Sequence, residues 1–254
     1  MLHNIKHFLI INSILKAIKE VYRFARIYIK YGNKLMEKIS QLPKYLIERY
    51  YNWKTTEYEK NKASFQYLAS EGQSPKTMVI SCCDSRVHVT SIFGAETGEF
   101  FIHRNIANLV PPYAPNKDYH GSSAAIEYAV KHLKVDHIIV LGHSNCGGIK
   151  MCHDICSNDK NNKNDKNEFL SKWIDILIPG YERIDKSKSD EDQISQLEQE
   201  GILVSLENLA GFPFVKDAMD NGTLTIHGLW NDIGAGTVEY YDENEKKFFT
   251  LAKD

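Results

Sequence analysis

Four short apolar runs set the strongest limit on the fold. "KTMVIS" (76–81), "EFFIHR" (99–104), "VDHIIVLG" (135–142) and "GTLTIHGL" (222–229) read as strands, and stretches of helical periodicity lie between them. Near-continuous apolar strands have no polar face to show to water, so helices must cover both sides of the sheet. The alternation therefore predicts an α/β fold: a mostly parallel central β-sheet flanked by α-helices, with an N-terminal helical extension. Helices are expected from Ser40 onward with a break near Pro43 and a stop at Gly72, over 121–134 with Ser122 or Ser123 as cap, over 168–178 up to Pro179–Gly180, and over 193–212. "GTVEYYDENEKKFFTL" (236–251) reads as an edge hairpin.

The 254 residues suffice for one large domain with a sizeable core. A formal net charge of −2 offers no basic field for nucleic acid. No apolar run reaches the length of a membrane span. Residues 1–35 stand apart: seven basic residues, Lys6 to Lys34, are interleaved with apolar ones against the single acid Glu20. They read as a basic amphipathic N-terminal extension ahead of a catalytic domain spanning 36–254, with three readings open: contact with a membrane surface or a partner, a targeting segment, or a dispensable extension. "SNDKNNKNDKNE" (157–168) has no apolar residue and reads as a solvated loop within the domain.

Five cysteines, Cys82, Cys83, Cys146, Cys152 and Cys156, are an odd count in two clusters. That pattern fits reduced thiols in a cytoplasmic protein better than a secreted disulfide framework. "SCCDSRV" (81–87) follows a buried strand directly, and "GHSNCGG" (142–148) follows another. The first stretch is open to three readings: a redox pair, a packed turn, or a thiolate on a metal with the aspartate acting on what the metal binds. Ligand sites in open parallel sheets gather at the carboxyl ends of strands, so Cys82, His143 and Cys146 are candidates to converge. Two thiolates and an imidazole favour Zn²⁺, and three protein ligands leave a fourth position open, as catalytic zinc requires. Asp84 and Arg86, two apart on extended chain, are placed to pair, which keeps the carboxylate ionised and aimed. Alone, a His-x-x-Cys pair is a weak signal. "CHDIC" places Cys152 and Cys156 on one helical face without His153, and packing is expected there. His103, with Arg104 and Asn105 after it at a strand end, reads first as a tie for loops.

"CCDSRV" and "GHSNCGG", with "FFIHRNIANLVPPY" between them, resemble the β-class carbonic anhydrases, from about Ser40 to about Tyr241. The resemblance implies zinc on Cys82, His143 and Cys146, one ion per chain, and a catalytic dyad of Asp84 and Arg86. Cys83 stands at a variable position and is not implied as a ligand. The activity implied is reversible hydration of carbon dioxide to bicarbonate and a proton by zinc-bound hydroxide, that is, a carbonate dehydratase, a zinc lyase. The assembly implied is a homodimer, often paired into a homotetramer, with helices of residues 44–70 reaching over the partner. The pocket resembles that of the plant enzymes, which implies substrate contacts from Gln73, Phe101, Ile106, Tyr128 and the Gly147 N–H, drawn from both subunits. Asn231 stands where a low-pH-closing subtype carries a tyrosine, so an open site is implied. Other readings of the residues are a zinc hydrolase for a CO₂-like molecule such as carbon disulfide, a non-catalytic zinc protein with Cys83 as fourth ligand, and a Cys82–Cys83 redox pair.

Overall fold

The computed structural model describes residues 19, 40–115, 120–157 and 168–252. The expected N-terminal extension, the boundary at 35/36 and most of the Asn/Lys loop fall outside the described residues, Lys19 apart. The chain divides into two compact units, residues 1–64 and 65–254.

In the first unit, Pro43 opens helix α1 (Lys44–Trp53), which passes into a wider turn at Lys54–Tyr58. Proline is tolerated there because a helix's first N–H groups lack partners anyway. α1 buries none of its residues; Tyr45, Leu46, Ile47, Tyr50, Tyr51 and Trp53 are all exposed. Helix α2 (Lys62–Glu71) runs on past residue 64 and stops at Gly72, whose φ of 83° suits glycine.

The second unit is built on a six-stranded sheet in the order β2-β1-β3-β4-β5-β6. β1 (Thr77–Cys82), β2 (Phe100–Asn105), β3 (His137–His143) and β4 (Thr225–Asp232) are parallel. β5 (Thr237–Asp242) and β6 (Lys247–Thr250) form the expected antiparallel edge hairpin. β1 and β3 are central and buried on both faces. Met78, Ile80, Ile138 and Val140 meet Ile202, Leu209 and Phe212 in one core cluster, while Val79 and Leu141 meet Val87, Val89 and Leu229 in another.

The helices are α3 (Val89–Phe93), α4 (His120–Glu127, extended by a wide turn to Leu133), α5 (Gly147–Ser157), α6 (Leu170–Ile174), α7 (Ile178–Arg183), α8 (Asp190–Ala210) and α9 (Pro213–Asp220). Ser189 caps α8 by accepting the Asp192 N–H, and three acids fill its first turn, favourable at the positive end of the helix dipole. α8 lies tightly over β3 and β4: a Cβ on Gly142 would stand 2.8 Å from Ile202 Cδ1. That contact requires glycine at 142 and sets the height of α8 above the carboxyl end of β3. Among the described residues no helix is long and apolar enough to cross a membrane.

Candidate metal centre and catalytic site

β1 and β3 are neighbours, so the loops leaving their carboxyl ends meet. Cys82 ends β1 and His143 ends β3; Cys146 follows one turn later, ahead of α5. The ligand atoms of Cys82, His143 and Cys146 lie within 4.8 Å of one another, and all three residues are buried. The separation of sixty residues in sequence is closed by the parallel pairing alone.

The donor set fits zinc. Sulfurs each about 2.3 Å from a tetrahedral zinc lie roughly 3.8 Å apart; the Cys82 and Cys146 sulfurs are 3.9 Å apart. His143 Nδ1 lies 2.9 Å from the Ser144 carbonyl, which only accepts, so Nδ1 carries the proton. Nε2 is then a bare acceptor, buried with no hydrogen-bond partner. An orphaned imidazole nitrogen facing two thiols is what a metal ligand looks like without its ion.

The two thiols split. The hydrogen shared with Cys146 pushes the Cys82 thiol down, against burial. Cys146 is pushed up by the same shared hydrogen and by burial. The N–H groups of Ile149 and Gly148 at the start of α5 oppose that rise and support a thiolate there. A divalent cation bound there would let both sulfurs ionise.

Asp84 and Arg86 pair as expected. Arg86 Nε donates to Asp84 Oδ1 at 2.9 Å and Nη2 to Oδ2 at 2.7 Å, and the Arg86 backbone N–H donates to Oδ1 as well. The guanidinium holds the Asp84 carboxyl well below the usual carboxylate range, against some burial. Asp84 Oδ2 stands 3.9 Å from His143 Nε2, so the carboxylate borders the ligand cluster.

Two further side chains support the site, one read from the sequence as a loop tie and one missed. Arg104, on β2, donates to the carbonyls of Cys82, Asp84 and Val87 at 2.7–2.9 Å and holds the whole "CCDSRV" loop. The strand-end run "HRN" was its signal, and tying a loop is what it does. Glu198, 4% exposed on α8, accepts the Cys146 N–H at 3.1 Å and the Trp230 indole N–H at 3.3 Å. Burial pushes its carboxyl up, and these donors oppose that. Nothing local marks Glu198 out from its amphipathic helix.

The expected pocket residues fall into two groups. Ile106 and Gly147 lie near the cluster: Ile106 follows β2, and it packs so closely on Gly148 that a Cβ there would be 2.9 Å away. Phe101, in the amino-terminal half of β2 where it pairs with Met78, meets the Tyr128 ring at 5.8 Å with the planes tilted by 36°. Gln73 is exposed and precedes β1, at the far end of the strand from Cys82. Within one chain, then, Gln73, Phe101 and Tyr128 are not brought to the ligand cluster. Beside the Cys82 loop opens a cleft of about 1100 Å³, lined by Cys83, His103, Asn105, Ile106, Ser122 and Trp173 among others. His103 bonds Ser122 at 2.9 Å, and burial lowers its pKa. Cys83 is exposed and lies outside the ligand cluster. Cys152 is buried in a hydrophobic cluster with Cys156 packed against it, the expected packing role.

Comparison with known proteins agrees with this geometry. A family model described as "Carbonic anhydrase" matches residues 77–238. Beta carbonic anhydrase 3 of Arabidopsis thaliana is 40% identical over 194 residues, 75% of this chain and 73% of that one. The solved β-carbonic anhydrase CcaA superposes with a TM-score of 0.71 at 30% identity, covering 82% of this chain and 91% of that chain. A tetrameric β-carbonic anhydrase of Sordaria macrospora gives 0.65 at 29% identity, over 82% and 98%.

Proposed function

The chain belongs to the β-class carbonic anhydrases, and from that premise we propose how its residues carry out the reversible hydration of CO₂ to bicarbonate and a proton. The observation that carries the reading is the buried trio of Cys82, His143 and Cys146, with an unpaired imidazole nitrogen aimed into it and the Asp84 carboxylate alongside. Cys82, His143 and Cys146 would hold Zn²⁺, whose Lewis acidity would make a hydroxide nucleophile available near neutral pH.

The chain's own groups do the rest. Asp84, kept ionised by Arg86, accepts a hydrogen bond from the nucleophile and turns a lone pair toward the carbon. Ile106 gives CO₂ an apolar wall that holds it without tight bonding. As the new C–O bond forms, negative charge moves onto a substrate oxygen, and the Gly147 N–H, next to Cys146 at the start of α5, would donate to it. Bicarbonate leaves, and one proton from the attacking water passes to solvent.

Gln73, Phe101 and Tyr128 complete the pocket of a partner subunit in a homodimer. Their distance from the ligand cluster within the chain supports this, as does a cleft far larger than a triatomic substrate fills. The bare apolar face of α1 suits an arm laid on that partner. Pairing of dimers into tetramers draws support from the tetrameric relative. The cysteines, all free among the described residues, support a cytoplasmic setting. The basic residues of 1–35 suit contact with an anionic membrane surface, ahead of a catalytic domain from residue 36.

Stopped-flow CO₂ hydration by the full chain, with and without prior chelator treatment, tests the function. Rapid hydration that is lost on chelation and restored by zinc is expected. A zinc-loaded protein without that activity would overturn the reading.

A further inference from the structure

The peptide group between Asn145 and Cys146 is held from both sides. Its carbonyl accepts from Arg86 Nη2 at 3.0 Å, and its N–H donates to Glu198 Oε1 at 3.1 Å. Asn145 sits in the left-handed region with φ 56°, which asparagine tolerates better than most side chains, and this turn directs its carbonyl to Arg86. Beneath the loop, Glu198 is a carboxylate 4% exposed, with its second oxygen taken by the Trp230 indole at 3.3 Å. A continuous run of hydrogen bonds thus passes from Asp84 through Arg86, the 145–146 peptide and Glu198 to Trp230. It joins the dyad to the backbone of the ligand Cys146.

We propose that Glu198 is a positioning residue that clamps the Asn145–Cys146 peptide, fixing the Cys146 sulfur in the metal site and the Asn145 carbonyl against Arg86, so that metal geometry and dyad orientation are set together. The proposal rests on the metal site of the preceding section. Glu198 offers two acceptor oxygens to N–H donors. A glutamine there keeps the shape but turns an NH₂ toward one of them, which leaves buried donors facing each other. Hydrogen bonds in such a run polarise one another, so breaking one loosens the rest.

The test measures zinc release into a chromogenic chelator and the thiolate-to-metal absorption bands of the cobalt(II)-substituted protein. Wild type is compared with Glu198→Gln, Trp230→Phe and Leu209→Ala. The last weakens α8 packing elsewhere and controls for general destabilisation. Glu198→Gln is expected to release zinc faster by on the order of tenfold or more and to shift the cobalt bands. Trp230→Phe should move both readouts in the same direction by less, and Leu209→Ala should leave the bands in place. Wild-type release and bands in a folded Glu198→Gln overturn the proposal, and so does a Leu209→Ala shift as large as that of Glu198→Gln. Should Glu198→Gln fail to fold, Trp230→Phe decides in the same terms. A wild-type chain that takes up neither metal defeats the metal-site reading itself, which separates the two failures.

Discussion

The Asp84 carboxylate stands 3.9 Å from His143 Nε2, a buried nitrogen with no hydrogen-bond partner of its own. A cation in the Cys82–His143–Cys146 cluster would satisfy the nitrogen and place its open position beside the carboxylate. Two loops far apart in sequence would thereby divide the work: the β3 loop offers two of the three candidate ligands, and the β1 loop offers one thiol and the carboxylate beside them.

Replacing Cys146 by alanine removes one of three ligands. Zinc content and CO₂ hydration should fall together in Cys146→Ala, measured by elemental analysis and stopped flow. Retained stoichiometric zinc would mean that Cys146 is not a ligand.

Asp84→Asn leaves the three ligands intact but removes a carboxylate acceptor. It should keep about one zinc per chain while hydration falls by on the order of a hundredfold. Near-full activity would show that the carboxylate does not aim the nucleophile.

A pH dependence follows from the pairing of Arg86 with Asp84. The guanidinium holds the Asp84 carboxyl below its ordinary value. A depressed acid contributes stability at every pH above its unfolded value, about 3.9, and loses that contribution only as pH falls through the lower folded value. Asp84 therefore stays ionised throughout the neutral and mildly acidic range. Arg86→Met removes the main cause of the depression and leaves burial to push the carboxyl up, so the acid limb of the kcat/KM profile should move to higher pH. Superimposable wild-type and variant profiles would contradict this.

Shared pockets make a separate prediction. Gln73→Ala should lower turnover with zinc retained, and Cys146→Ala should be inactive. Mixed and refolded together, they should regain activity, since a heterodimer pairs an intact metal site with an intact Gln73 from the other subunit. Mixtures no more active than the Gln73→Ala protein alone would place Gln73 in its own subunit's site or outside any.

Much of this was legible in the sequence because it is encoded locally. Runs such as "HIIVL" announce buried strands, and chemistry placed directly after a strand lands at the sheet's carboxyl edge, so Cys82, Asp84, Arg86, His143 and Cys146 could be grouped. Short helices were missed: α3 and α9 span too few residues for periodicity to speak, and Pro213 reads as a breaker although it opens α9. Pro179 likewise starts α7 rather than merely ending the helix before it. Glu198 was invisible because its role depends on how closely α8 lies over β3, a distance set by Gly142 and Ile202. The separation of Phe101 and Tyr128 from Cys82 within the chain is not visible in a motif, which lists residues in order but not how far apart the fold sets them.

X-ray absorption at the zinc edge of the purified full chain tests the central claim most directly. One zinc per chain with two sulfurs at about 2.3 Å and two lighter ligands at about 2.0–2.1 Å is the predicted result. Substoichiometric zinc, or a shell of three or four sulfurs that draws in Cys83, would contradict it.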